Sequence, residues 1–192
     1  MDIRNFFFKY RSFTPIPLAV MIIYFAQRPN PYWLYGLFLV VVGESIRIWA
    51  VSYAGGETRT RTVGAPALCS AGPFARVRNP LYVGNMMMYT GIVLIAGSPS
   101  LWSMLLITLI FFYIQYSLIV SLEEETLLAL FGDTYETYRE NTPAIIPRFK
   151  AWPNDDIRLP MSLGKTLKTE KRTLQNISLI IISILIRVSY FP

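Results

Sequence analysis

From Leu101 to Leu122 the chain carries no charged residue. About 20 helical residues at 1.5 Å each match a hydrocarbon core ~30 Å thick, so this stretch reads as a membrane span. In lipid, backbone N–H and C=O groups must pair within their own segment, which leaves helices as the building units. The rest of the chain agrees. Its 192 residues are 53% hydrophobic and 16% charged, with a mean hydropathy of +0.40, whereas a soluble domain carries about 25% charged residues. The expected fold class is all-α, an integral membrane helical bundle with four or five spans.

Other apolar segments surround that span. The first, Phe13 to Ala26, is short, and Gln27-Arg28-Pro29-Asn30-Pro31 ends it, since prolines do not continue a helix. Tyr32 to Ala54 is long enough to cross with some tilt. Inside it, Glu44 and Arg47 share one helical face. Pro80 to about Gly97 opens with proline at a favourable first position. The uncharged turn Gly97-Ser98-Pro99-Ser100 makes it a hairpin with Leu101–Leu122. Beyond the hairpin, Glu123 to about Arg139 reads as an amphipathic helix interrupted at Gly132, with Tyr135 and Tyr138 as interface anchors. The Met86-Met87-Met88 run reads as packing filler. A polar basic stretch, Phe149 to Arg172, precedes a last apolar run, Ile177–Ile186, too short alone to cross. The expected division is a membrane core, 1–148, and a basic tail with a short apolar helix, 149–192.

The formal net charge is +6, from 18 Lys and Arg against 12 Asp and Glu. The basic residues flank apolar segments, so membrane topology and anionic headgroups account for them, and nucleic acid is not an expected partner. The N-terminus, the 55–79 loop and the region after Glu123 hold most of the Lys and Arg. By the positive-inside rule these parts face the cytosol. No cleavable signal peptide is evident at the N-terminus. There is no histidine, and Cys69 is the single cysteine. That removes the commonest metal ligand and general base, and no metal is expected. Cys69 reads as a small packing residue.

Two polar knots are brought to one membrane face by the hairpin: Gly72-Pro-Phe-Ala-Arg-Val-Arg-Asn-Pro-Leu-Tyr82 before it and Glu123-Glu124-Glu125 after it. Read without other knowledge, the acidic knot suits a helix N-terminus, where the helix dipole favours negative charge. Arg76 and Arg78 suit topology signals.

Together, however, the knots resemble the isoprenylcysteine carboxyl methyltransferase family, which is related to the phospholipid methyltransferases. The resemblance runs from about Gly55 to Arg148 and includes Glu-Thr-Leu-Leu-Ala-Leu-Phe-Gly-Asp-Thr-Tyr-Glu-Thr-Tyr and Ile-Pro-Arg. It implies a membrane methyltransferase using S-adenosylmethionine. The family's Arg-His-Pro-x-Tyr becomes Arg78-Asn79-Pro80-Leu81-Tyr82, with Asn79 for the histidine. The implied catalytic positions are Arg78 and Asn79. The implied cofactor-binding set is Leu68, Cys69, Phe74, Asn79, Pro80, Leu81, Tyr82 and Glu123, with Glu124 the neighbouring choice for the cofactor-contacting glutamate. Phe74 stands where the family has a tyrosine. Ile119 stands where the prenylcysteine enzymes carry the arginine that reads the substrate carboxylate, which argues against that substrate more than against the cofactor.

A glutamate suits an ammonium or ribose hydroxyl, and aromatic faces suit a sulfonium. Methyl transfer is a direct displacement that needs positioning and exclusion of water. An anionic oxygen acceptor needs no base, whereas an amine must first lose a proton. With no histidine and with Arg59, Arg61 and Arg76 as candidate substrate-binding residues, the expected acceptor is a lipid phosphate, such as that of a lipid A-type glycolipid, or a carboxylate. Alternatives are prenylcysteine carboxyl methylation and phosphatidylethanolamine N-methylation. A different-class alternative is a non-catalytic membrane module or small transporter, for which Glu44 and Arg47 would be the functional pair. The expected partners are the bilayer and a lipid or lipid-anchored substrate. The oligomeric state is not legible.

Overall fold

The structure, a computed structural model, describes residues 2–28, 30–56, 60 and 62–190. Among the described residues the ordered elements are helical: α1 Ile3–Tyr10, α2 Ile16–Tyr24, α3 Trp33–Ala54, a 3-10 turn Gly72–Ala75, α4 Pro80–Ala96, α5 Leu101–Phe131, α6 Asp133–Asn141 and α7 Leu163–Tyr190. Three of these, α3, α5 and α7, are long and apolar enough to cross a membrane, and α4 is a shorter apolar helix. The chain is a helical membrane bundle. Its first apolar stretch is shorter than the sequence suggested, since α2 has only 9 residues and Pro15 begins it.

Helix α5 runs through the place where the sequence reading put a boundary. It is 31 residues long, about 46 Å at 1.5 Å per residue, so its last turns extend past a hydrocarbon core ~30 Å thick. Glu123, Glu124 and Glu125 therefore lie inside a continuous helix, and the helix N-terminus reading of the acidic knot fails. The break comes at Gly132, whose φ of +51° favours a residue without Cβ. Similarly α7 begins at Leu163 and takes the basic residues Lys165 to Arg172 into the same helix as Ile177–Ile186.

The closest packing is between α3 and α4. A Cβ on Gly36 would sit 2.5 Å from the Gly91 carbonyl oxygen, and one on Gly43 would sit 2.7 Å from that of Gly84. The reciprocal approaches are equally short. Two glycine pairs thus let antiparallel backbones touch, which in lipid supplies the association that apolar burial cannot. The α4–α5 turn ends α4 at Gly97 in a left-handed conformation, φ +65°, and the Asn30 amide donates to the Leu94 and Ile95 carbonyls there. Along α5, Phe112, Tyr116, Ile119 and Leu122 face the core beside Ile92, Val93 and Ile184, while Trp102, Leu106, Ile110, Tyr113 and Ile114 face outward, as a lipid solvent permits.

Residues 143–161 form a strap that retraces the 68–78 loop in the opposite direction. Its backbone contacts run from Arg78 N–H to Pro143 O at 2.8 Å, through Arg148 N–H to Arg76 O at 3.0 Å and Trp152 N–H to Ala75 O at 2.7 Å, to Met161 N–H on Ser52 O at 2.7 Å.

Candidate functional site

On α5, Glu123, Glu124 and Glu125 are about 100° apart around the axis, so consecutive side chains point in different directions. Each has its own partner. Glu123 accepts from the Tyr82 hydroxyl at 2.9 and 3.0 Å. Glu124 accepts from the Arg78 guanidinium at 2.7 Å. Glu125 pairs with Arg4 of α1 at 2.7 Å. The hairpin thus joins the two polar knots, with Pro80 buried at the first position of α4 and Leu81 and Tyr82 in its first turn.

The Tyr82 ring is stacked on Tyr116 of α5, with centroids 4.4 Å apart and planes 24° from parallel. Tyr116 in turn lies 5.3 Å from Phe112. Its hydroxyl accepts from the Asn85 amide at 2.8 Å. A carboxylate and two stacked phenol rings converge where α4 begins and α5 leaves the apolar layer.

Around this centre the remaining expected residues take structural contacts. Besides Glu124, Arg78 donates to the carbonyls of Arg139, at 2.9 Å, and Thr142 at the end of α6. Asn79 donates to Ala144 O at 3.1 Å. Arg76 donates to Phe149 O. The Phe74 carbonyl accepts from Tyr138 at 2.8 Å. Tyr135 and Tyr138 are 1% and 3% exposed, so they are buried under the loop and are not interface anchors. Leu68 O accepts from Arg158 at 2.7 Å, and Ser70 N–H donates to Asp156 at 2.9 Å. Among the described contacts none joins Leu68 or Cys69 to Glu123. Burial pushes the half-buried Cys69 thiol up to about 11. Arg59 and Arg61 lie outside the described residues.

Glu44 and Arg47 share one face of α3, as their spacing suggested, and that face turns to the bundle interior, with the two side chains 3.8 Å apart. The shorter contact of Arg47 is to Glu170 of α7, at 2.8 and 3.0 Å. Tyr116, Asn85, Glu170, Asp156 and Arg158 were not singled out from the sequence. Of these, an acidic residue at 170 within a predominantly basic segment was the one readable signal. Among the described residues no three His, Cys, Asp or Glu side chains converge as a metal site requires.

Comparison with known proteins places the chain more firmly. Two curated relatives are metal-resistance proteins by name. The nickel-cobalt-cadmium resistance protein NccN of Alcaligenes xylosoxydans xylosoxydans is 27% identical over 124 residues, 65% of this chain and 52% of its own length. The cobalt-zinc-cadmium resistance protein CzcN of Cupriavidus metallidurans is 27% identical over 117 residues, 61% of this chain and 48% of its own. The chain spans about half the length of these relatives. No solved structure matches it. The profile of the family described as phospholipid methyltransferase matches residues 32–134, which include Arg78 to Tyr82 and Glu123 to Glu125. The chain belongs to this family of membrane methyltransferases.

Proposed function

We propose that the protein transfers the methyl group of S-adenosylmethionine to a membrane-embedded amphiphile, at the end of the bundle where α4 begins, facing the cytosol. The observation that carries this reading is the Tyr82–Glu123 pair, set against the stacked Tyr82 and Tyr116 rings. This donor set fits the cofactor's chemistry. The Glu123 carboxylate suits an ammonium or ribose hydroxyl, and the face of the Tyr82 ring turned away from Tyr116 suits a sulfonium. Bound there, the cofactor supplies an activated methyl group. Of the other residues, Asn79, Pro80 and Leu81 shape the entry to α4, and Phe74 and the Leu68–Cys69 backbone line the loop above. Arg78 fixes Glu124 and the end of α6, so its role is to hold the site's walls. The chain's part in the reaction is positioning and exclusion of water.

The acceptor is an anionic oxygen, a lipid phosphate or carboxylate. The chain has no histidine to take a proton from an ammonium, and an anionic oxygen needs none taken. A second reading, an amine acceptor, draws on one structural observation: Arg76 and Arg78 are already engaged by carbonyls and Glu124, leaving less arginine for an anion.

The test uses the full chain in lipid nanodiscs with methyl-labelled S-adenosylmethionine and a total lipid extract. Label passing into the organic phase, and absent with Glu123→Ala, supports the reading. Mass analysis of the labelled lipid separates oxygen from nitrogen acceptors. Failure of the native chain to bind the cofactor would overturn the reading.

A further inference from the structure

One polar chain crosses the bundle interior below the Tyr82–Glu123 pair. It begins on α7, where Glu170 is fully buried, and enters Arg47 of α3 through Nη2 at 2.8 and 3.0 Å. The same nitrogen donates to Thr173 at 3.2 Å. Arg47 Nη1 continues to Asn85 Oδ1 of α4 at 2.8 Å. Asn85 Nδ2 then donates to the Tyr116 hydroxyl of α5 at 2.8 Å. Four helices contribute to one run of contacts.

The direction of this run is dictated by chemistry. Arginine only donates, so the oxygen of the Asn85 amide must face Arg47 and its nitrogen must face Tyr116. The Tyr116 oxygen is thereby held as an acceptor, which fixes the ring in rotation. Tyr82 stacks on that ring at 4.4 Å and presents its hydroxyl to Glu123. The path has room because of a glycine: a Cβ on Gly84 would lie 2.6 Å from Arg47 Cγ. Buried charges in apolar segments are costly, and ionisable residues that face a bundle interior commonly mark a working site. An arrangement that reaches from α7 to the rings beside Glu123 has a different use.

We infer that Glu170, Arg47, Asn85 and Tyr116 are positioning residues that set where Tyr82 holds the Glu123 carboxylate, so that α7 belongs to the working site. Glu170 lies beyond the residues matched by the family profile. The inference rests on the reading of Glu123 as the cofactor-binding acid.

The experiment measures binding of methyl-labelled S-adenosylmethionine to the full chain in nanodiscs. Glu170→Gln keeps the side-chain shape, and Glu44 remains beside Arg47. Tyr116→Phe keeps the stacked ring and removes only the hydroxyl. Each is expected to weaken binding about tenfold, the scale of coupling between contacting groups. In a Tyr82→Phe background, where the last link is already cut, Glu170→Gln should add less than about twofold. A purely structural anchor would give unchanged affinity with a lower unfolding temperature, or full additivity with Tyr82→Phe, and either result overturns the relay. Tyr116→Phe keeps the test decisive if Glu170→Gln does not fold. Native protein that binds no cofactor overturns the underlying reading and the relay together, whereas native binding with indifferent variants overturns the relay alone.

Discussion

Tyr82 on α4 and Glu123 on α5 meet through one phenolic proton shared between two carboxylate oxygens, at 2.9 and 3.0 Å. The hairpin brings the residues level, but the meeting also requires both helices to be rotated correctly about their axes. That rotation follows from contacts elsewhere: the glycine pairs of α3 and α4, and the Arg78–Glu124 ion pair at the mouth of the hairpin.

Neighbouring glutamates should therefore separate on mutation. Glu123→Ala is expected to abolish binding of labelled S-adenosylmethionine while the protein still purifies as a folded species. Glu124→Gln should leave cofactor binding in place and lower stability by about 1–2 kcal/mol, the worth of a charge-assisted hydrogen bond that is partly exposed. Thermal unfolding in detergent and a binding isotherm on each variant check the split. Equal loss of binding in both would show that the acidic knot acts as a whole.

The α3–α4 contact predicts a steep size dependence at Gly84. An added Cβ meets the Gly43 carbonyl at 2.7 Å as well as Arg47, so backbone must move and not only a flexible side chain. Gly84→Val should cost about 1–3 kcal/mol, the usual range for overpacking. Gly164, whose Cβ would meet nothing within 4 Å, provides the control, since Gly164→Ala should be tolerated. A comparable loss at both sites in a detergent unfolding assay would count against the close approach.

Cys69 should be a slow nucleophile. With burial raising its thiol to about 11, it stays protonated near neutral pH, and its thiolate fraction grows about tenfold per pH step until that value is approached. Maleimide labelling followed by mass spectrometry should be sluggish at neutral pH and accelerate throughout the alkaline range. Rapid neutral labelling that reaches a plateau would contradict the burial of this group.

Asp156 makes the strap sensitive to acid. Partial burial pushes its carboxyl up, but donation from the Ser70 and Arg158 amides and the Arg158 side chain outweighs this and holds it below its usual value. A carboxylate with a depressed folded value contributes stability above its unfolded pKa of about 4 and loses that contribution as pH falls through the folded value. Hydrogen exchange in peptides covering 143–161, corrected for intrinsic rates, should show protection at pH 6 that is lost in strong acid. Asp156→Asn should show reduced protection already at pH 6. Protection that is independent of both pH and this substitution would remove Asp156 from the strap's support.

Much of this was legible in the residues. A charge-free Leu101–Leu122, an uncharged Gly-Ser-Pro-Ser turn and a proline opening the preceding segment are local signals, and each depends only on how one stretch of chain partitions between lipid and water. They were enough for the helical class, the hairpin and the meeting of the 78–82 and 123–125 knots. Even Glu44 and Arg47, three positions apart on a helix, declared that they share a face.

What remained hidden was every contact that depends on how one helix is turned against another. Helix α5 continues through the acidic knot because the Glu, Leu and Ala residues after Leu122 are good helix formers, and polarity alone does not end a helix once it leaves the membrane. The pairing of Glu170 with Arg47 joins residues separated by 123 positions, and the strap joins Leu68 to Arg158 across 90. Hydropathy fixes which segments lie in lipid, whereas their partners depend on interhelical rotation and on backbone approach at glycines, properties that exist only when the whole bundle is assembled. The sequence by itself determined a membrane bundle with two polar knots at one face. Tertiary structure decided that Glu123 turns to Tyr82, that Glu124 turns to Arg78, and that α7 reaches into the same polar interior.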